Sequence, residues 1–144
     1  MFRRIIATSP TCVTIPLRLG LGIITMAHGS QKVLGTFGGQ GFKAWISGNT
    51  PFPFMRPTWL WLAAAALSEF VGGTLVLLGL LTRVAAFFIA CTMLTAVIGV
   101  HWPNFFANNR GFEYPLALLT MALALLISGG GAASADLALS RRKR

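Results

Sequence analysis

Apolar residues fill four stretches of the chain, about 12–30, 59–81, 84–102 and 112–128, and in each they cover every face that a helix would have. Periodicity therefore cannot separate a buried face from an outer one. Bounded length decides instead. Roughly 20 apolar residues in a helix cross about 30 Å of hydrocarbon. The breaks between the stretches carry turn residues: GTFGGQG at 35–41, PFPFMRP at 51–57, Leu80-Leu81-Thr82-Arg83, Pro103-Asn104, Asn108-Asn109-Arg110-Gly111 and Gly129-Gly130-Gly131. The pattern predicts an all-α integral membrane protein, an up-down bundle of four spanning helices. Residues 1–144 then form one domain ending in a basic tail, 140–144.

The first break is long, about 28 residues. Within it, residues 41–48 (GFKAWISG) place Phe42, Trp45 and Ile46 at helical spacing, with Lys43 on another face. This predicts a short helix lying in the interface, with Trp45 at headgroup level. Prolines 51, 53 and 57 then hold an extended lead into the second span.

Composition reinforces the pattern. Only 10% of the residues are charged and 55% are hydrophobic, against about 25% charged in a soluble domain. A soluble enzyme and a disordered chain are both excluded. The charge is lopsided: 12 Lys and Arg against 3 acids, net +9. The cations sit between the apolar stretches and at the ends, which fits lipid headgroups and not nucleic acid. With both termini in the cytoplasm, Arg3, Arg4, Arg83, Arg141, Arg142, Lys143 and Arg144 lie inside and Lys32, Lys43, Arg56 and Arg110 outside. That bias sets the orientation and predicts a multi-pass protein of a bacterial or archaeal plasma membrane. Pro10, Pro16 and Arg18 interrupt the first apolar stretch, so it reads as a retained span and not as a cleaved leader. Cys12 and Cys91 form no CxxC pair.

The informative residues are the ionisable ones inside the spans. Glu69 sits near the middle of the second span. A bare carboxylate there must be protonated, paired or facing water. Arg18, in the first span, is the expected partner. At the outer end, His28 and Lys32 share one helix face, while His101 closes the third span and Glu113 opens the fourth. These four are expected to converge. Asp136, past the glycine turn, is expected to pair with Arg83 or with the basic tail at the inner side. Small residues Gly20, Gly22, Gly72, Gly73 and Gly79 permit close helix contact. A faint repetition also runs through the chain: an arginine near each inner start (Arg18, Arg83), a histidine near each outer end (His28, His101) and a glutamate on each returning helix (Glu69, Glu113).

The outer set admits several chemistries. Histidine and glutamate can exchange protons with a quinone headgroup while Lys32 stabilises negative charge. Haem or metal held through His28 and His101 ranks below that reading, since HExxH-type spacing is absent and no metal set is assigned. No P-loop, GxGxxG, EF-hand or Ser-His-Asp pattern is present.

The chain resembles the DoxX family of small four-helix membrane proteins over about residues 13–139. The matching pieces are RLGLGIITMAHGSQK (18–32), SEFVGGTLVLLGLLTR (68–83), the third span ending at His101, NRGFEYPL (109–116) and GGGAASADLAL (129–139). Arg18, His28, Lys32, Glu69, Arg83, His101, Glu113 and Asp136 occupy the motif positions. The resemblance implies quinone-linked sulfur oxidation or membrane thiol-redox assemblies. It implies no transferable catalytic mechanism, and no soluble catalytic domain is evident. The expected function is a quinone-interacting or electron-transfer-linked subunit of a membrane redox complex, in contact with lipid and other membrane subunits. A non-catalytic assembly subunit is the alternative. A small-solute transporter built on Arg18 and Glu69 is a third reading.

Overall fold

A computed structural model describes residues 8–142. Arg3, Arg4, Lys143 and Arg144, which the orientation reading uses, lie outside the described residues. Among the described residues all regular structure is helical. Helix α1 is Thr14–Val33, and after a short turn of 3₁₀ helix comes α2, Phe42–Ile46. Helix α3 is Thr58–Leu78, and α4 is Thr82–Thr95, prolonged by a π-helical segment, Ala96–His101. Helix α5 is Glu113–Ser128, and α6 is Ala135–Arg142.

Glycines set how the long helices meet. A Cβ on Gly22 would lie 2.6 Å from Leu77 Cγ, and one on Gly73 would lie 2.6 Å from the Met26 nitrogen. Gly29 abuts the backbone of Phe70. As α1 runs forward, its contacts on α3 therefore run backward, and the pair is antiparallel at backbone-to-backbone range. Helix α3 ends where Gly79 takes φ +64°: its N–H bonds Val76 O at 3.0 Å and the Leu80 N–H bonds Leu75 O at 2.9 Å. These are the paired bonds of a Schellman cap. The cap stops the helix at Leu78, three residues before the expected end of that span.

The interior is narrow. Leu21, Ala66, Val76, Ala86, Ile89, Ala122 and Leu125 are fully buried. The outward faces hold larger apolar side chains: Leu19 and Ile23 on α1, Leu67 and Val71 on α3, Phe87 and Phe88 on α4, and Leu123 and Ile127 on α5. Arg18, Glu69 and Asp136 are buried. Large apolar groups outside and charges inside are the arrangement expected when hydrocarbon is the solvent.

Two helices are long and apolar enough to cross a hydrocarbon layer: α3, with 21 residues, and the run Thr82–His101, with 20. Four such crossings are expected from the sequence. Helix α5 is apolar but has 16 residues. Helix α1 has 20 residues, but Arg18, Thr25, His28, Gln31 and Lys32 interrupt its apolar character.

The short helix expected within 41–48 is α2, five residues with none buried. The Trp45 indole Nε1 donates to Leu62 O on α3 at 2.8 Å. The ring also lies over the Lys32 ammonium.

Candidate functional site

Glu69 is 4% exposed and lies 11 residues beyond Thr58 (69 minus 58), about 16 Å along α3 at 1.5 Å per residue. Its Oε2 pairs with the ammonium of Lys32. The α1–α3 register explains this partner. Gly29 lies against Phe70, so the last turn of α1 ends level with the middle of α3, and Lys32 faces Glu69. Arg18 lies near the other end of α1, level with Val76 and Leu77. The expected Arg18–Glu69 pair is therefore replaced by Lys32–Glu69. The pair satisfies a buried carboxylate that would otherwise be very costly.

Trp45 lies over the lysine of the pair. Its ring centroid lies 4.7 Å from Lys32 Nζ, a cation–π contact. The Lys32 side chain keeps 20% of its exposure, against 5% for Glu69. A second polar contact stands beside the pair: His28 Nε2 and Tyr114 Oη are 3.2 Å apart, with ring centroids 5.9 Å apart. Tyr114 lies within electrostatic reach of Glu69. Next to Glu69, Ser68 Oγ and Thr92 Oγ1 are 2.6 Å apart and tie α3 to α4.

The other candidates are tied to backbone. Arg18 donates through Nε to Val76 O (3.0 Å) and through Nη2 to Leu77 O (2.8 Å). Through Nη1 it reaches Gly130 O (3.1 Å), Ala132 O (3.2 Å) and Ala133 O (3.2 Å). These carbonyls lie at the end of α3 and in the glycine turn after α5; Val76 O also takes the Gly79 N–H and Gly130 O the Thr14 hydroxyl, and a planar cation with several donors suits the set. Arg83 plays the same part in the second hairpin, donating to Leu126 O in the last turn of α5 at 2.7 Å. Both arginines of the faint repetition thus donate to carbonyls where a returning helix ends.

Asp136 takes the opposite role. Its carboxylate accepts the N–H groups of Leu81 (2.8 Å) and Thr82 (2.9 Å) at the start of α4. The expected Asp136–Arg83 contact gives way to this cap, because the first turn of a helix presents free N–H donors and favours negative charge.

The outer quartet does not converge. Lys32 turns to Glu69 and His28 to Tyr114. His101 donates from Nδ1 to Arg110 O at 2.7 Å, and Glu113 Oε1 accepts the Ala107 N–H at 2.7 Å. His101 and Glu113 brace the 102–112 loop, whose unpaired backbone groups are close at hand. Among the described residues no three of His, Cys, Asp or Glu gather where a metal ion could be held.

Sequence reasoning missed Trp45 and Tyr114 as members of the site. Tyr114 is the lone tyrosine and directly follows Glu113, and Trp45 faces the same side of its helix as Ile46 and Phe42. Those were the available signals, but the partner of each comes from a distant part of the chain.

The family model DoxX matches residues 13–102. A protein of Bacillus subtilis (strain 168) named "Putative oxidoreductase CatD" is 35% identical over 112 residues, covering 78% of this chain and 77% of that protein. No solved structure matches the chain.

Proposed function

The chain belongs to the DoxX family, and on that premise we propose that it is a quinone-interacting, electron-transfer-linked subunit of a membrane redox complex. The observation that carries this reading is the Lys32–Glu69 pair, buried halfway along a helix long enough to span a membrane and flanked by Trp45 and Tyr114. A redox headgroup in a bilayer needs a flat apolar wall, a hydrogen-bond donor and a group that exchanges protons. These side chains fit that need. A quinone would supply the electron-accepting chemistry. Lys32 would donate to a carbonyl oxygen, and Glu69 would hold or release the proton. His28, beside Tyr114 and exposed, offers contact with water. The name of the Bacillus relative supports a redox role.

The surrounding architecture belongs to the same proposal. It is a single domain, an up-down bundle of four membrane helices (α1, α3, α4, α5), with both termini cytoplasmic, in the plasma membrane of a prokaryote. Its electrons come from a partner subunit. Arg18, Arg83, Asp136, His101 and Glu113 hold the frame.

The test is purification of the chain from its own membranes in mild detergent, followed by extraction and identification of bound quinone. Retained quinone, and donor-dependent quinone reduction that falls in Glu69→Gln while the fold persists, support the proposal. Quinone-free preparations without donor-dependent reduction in any subunit context reject it.

The bonding of Arg18, Asp136, His101 and Glu113 to backbone favours a second reading, a non-catalytic assembly subunit. Stoichiometric co-purification with partners whose activity survives Glu69→Gln would select it.

A further inference from the structure

The cover over the Lys32–Glu69 pair is built differently from the helices around it. Helix α2 has five residues and none of them is buried. The segment leading into it carries three glycines in the left-handed region, Gly35 (φ +73°), Gly38 (φ +74°) and Gly41 (φ +76°). The lead-in is tied to α1 as far as Gly41, whose N–H bonds Gln31 O at 3.2 Å, with Thr36 Oγ1 on Ser30 Oγ at 2.8 Å; beyond Gly41, Trp45 makes two contacts of modest strength. One is the ring over the Lys32 ammonium. The other is the indole N–H on Leu62 O, a carbonyl inside α3 and so placed to serve the helix as well. Beneath the ring, Lys32 keeps a fifth of its side-chain exposure while Glu69 has almost none. A flat ring over a cation, with an acceptor carboxylate beside the cation, is what a flat ligand bearing a hydroxyl would also satisfy.

We propose that the Trp45 ring stands where an aromatic ligand ring docks, and that a planar, electron-rich dihydroxyaromatic headgroup, a quinol, displaces it. The quinol ring stacks on Lys32 and its hydroxyl donates to Glu69. This inference rests on the quinone reading above and sharpens it. A cation attracts the negative face of an electron-rich ring. The ring of an oxidised quinone is electron-poor, so its face repels the ammonium. The stack therefore selects the reduced form over the oxidised one. The segment from Phe42 to Gly48 swings aside as ligand enters, and Trp45 competes with ligand for one cation.

The experiment uses the full chain in detergent with the other tryptophans removed (Trp59→Phe, Trp61→Phe, Trp102→Phe), and reads Trp45 fluorescence on titration with a short-chain ubiquinol or ubiquinone. In Trp45→Ala and Trp45→Phe variants, binding is read by equilibrium dialysis. Quinol is expected to bind more tightly than quinone. Removing the competing ring in Trp45→Ala should tighten quinol binding about tenfold, with Trp45→Phe between the two. A staple gives a second measurement that keeps Trp45 in place. A Cβ on Gly48 lies 3.8 Å from Leu62 Cδ1, so Gly48→Cys and Leu62→Cys, in a Cys12→Ser, Cys91→Ser background, are near enough for a short bis-methanethiosulfonate cross-linker to pin the cover to α3. Cross-linking should slow quinol binding and reductant should restore it. Weaker quinol binding in Trp45→Ala, or unchanged binding to the cross-linked protein, overturns the inference. Equal affinity for quinol and quinone also overturns it and leaves the quinone reading standing. Failure of every variant to bind either ligand rejects both.

Discussion

Lys32 and Glu69 meet across the α1–α3 interface, one from the last turn of its helix and the other from the middle of its own. Their meeting depends on register: Gly29 against Phe70 brings the end of α1 level with residue 69. Removing one partner leaves a buried charge alone, a loss of about 3–5 kcal/mol in fully buried pairs. Lys32→Met leaves the Glu69 carboxylate, 5% exposed, without its cation, so the expected loss lies within that range. The double variant Lys32→Met, Glu69→Leu should recover much of it. Thermal unfolding of the three variants in detergent measures the coupling. Strict additivity of the two single losses would contradict the pair.

Arg18→Lys should behave as a severe substitution although charge is kept. The guanidinium reaches carbonyls of Val76, Leu77, Gly130, Ala132 and Ala133 through three nitrogens. A single ammonium cannot span them. Val76 O keeps the Gly79 N–H and Gly130 O the Thr14 hydroxyl, but each carbonyl orphaned among Leu77, Ala132 and Ala133 costs about 1–3 kcal/mol, so the variant should unfold well below the parent protein. Arg18→Met should be no better than Arg18→Lys. A lysine variant with parental stability would show that charge alone matters there.

Asp136→Ala removes acceptors from two N–H groups at the start of α4. Loss of such a cap costs about 0.5–2 kcal/mol. Asp136→Asn keeps one acceptor oxygen and should fall between the two. Unfolding curves of both variants test the order, and ligand affinity at the Lys32 site should stay unchanged in each.

Two glycine-to-alanine substitutions should separate packing from backbone conformation. At Gly73 a Cβ would lie 2.6 Å from both the Met26 nitrogen and Thr25 Oγ1. Gly73→Ala must push α1 off α3, at about 1–3 kcal/mol or more for overpacking, and should deplete folded protein in the membrane. Gly38→Ala meets nothing within 4 Å and pays only for φ +74°, about 1 kcal/mol for a left-handed residue. Equal expression of the two variants would contradict the close α1–α3 contact.

Much of this molecule was legible along the chain. Uninterrupted apolar runs identify helices because a backbone in hydrocarbon must satisfy its own hydrogen bonds. Glycine and proline clusters mark their ends, and the observed bounds depart from the expected ones by a few residues, as at the Gly79 cap. The ionisable residues inside those runs stood out as the ones to explain.

Their partners were not legible. Arg18, Lys32 and Glu69 were all named, but linear spacing could not choose between two cations for one carboxylate. That choice rests on the vertical offset of α1 against α3, which glycine notches fix to within a residue. Likewise Asp136 was expected to meet Arg83 or the basic tail and accepts N–H groups at the start of α4, while His101 and Glu113 were expected in one outer cluster and bond the backbone of the 102–112 loop. Composition and pattern determine the solvent and the helices, because those are properties of each segment alone. Which charge meets which is a property of two segments at once, and only their packing decides it.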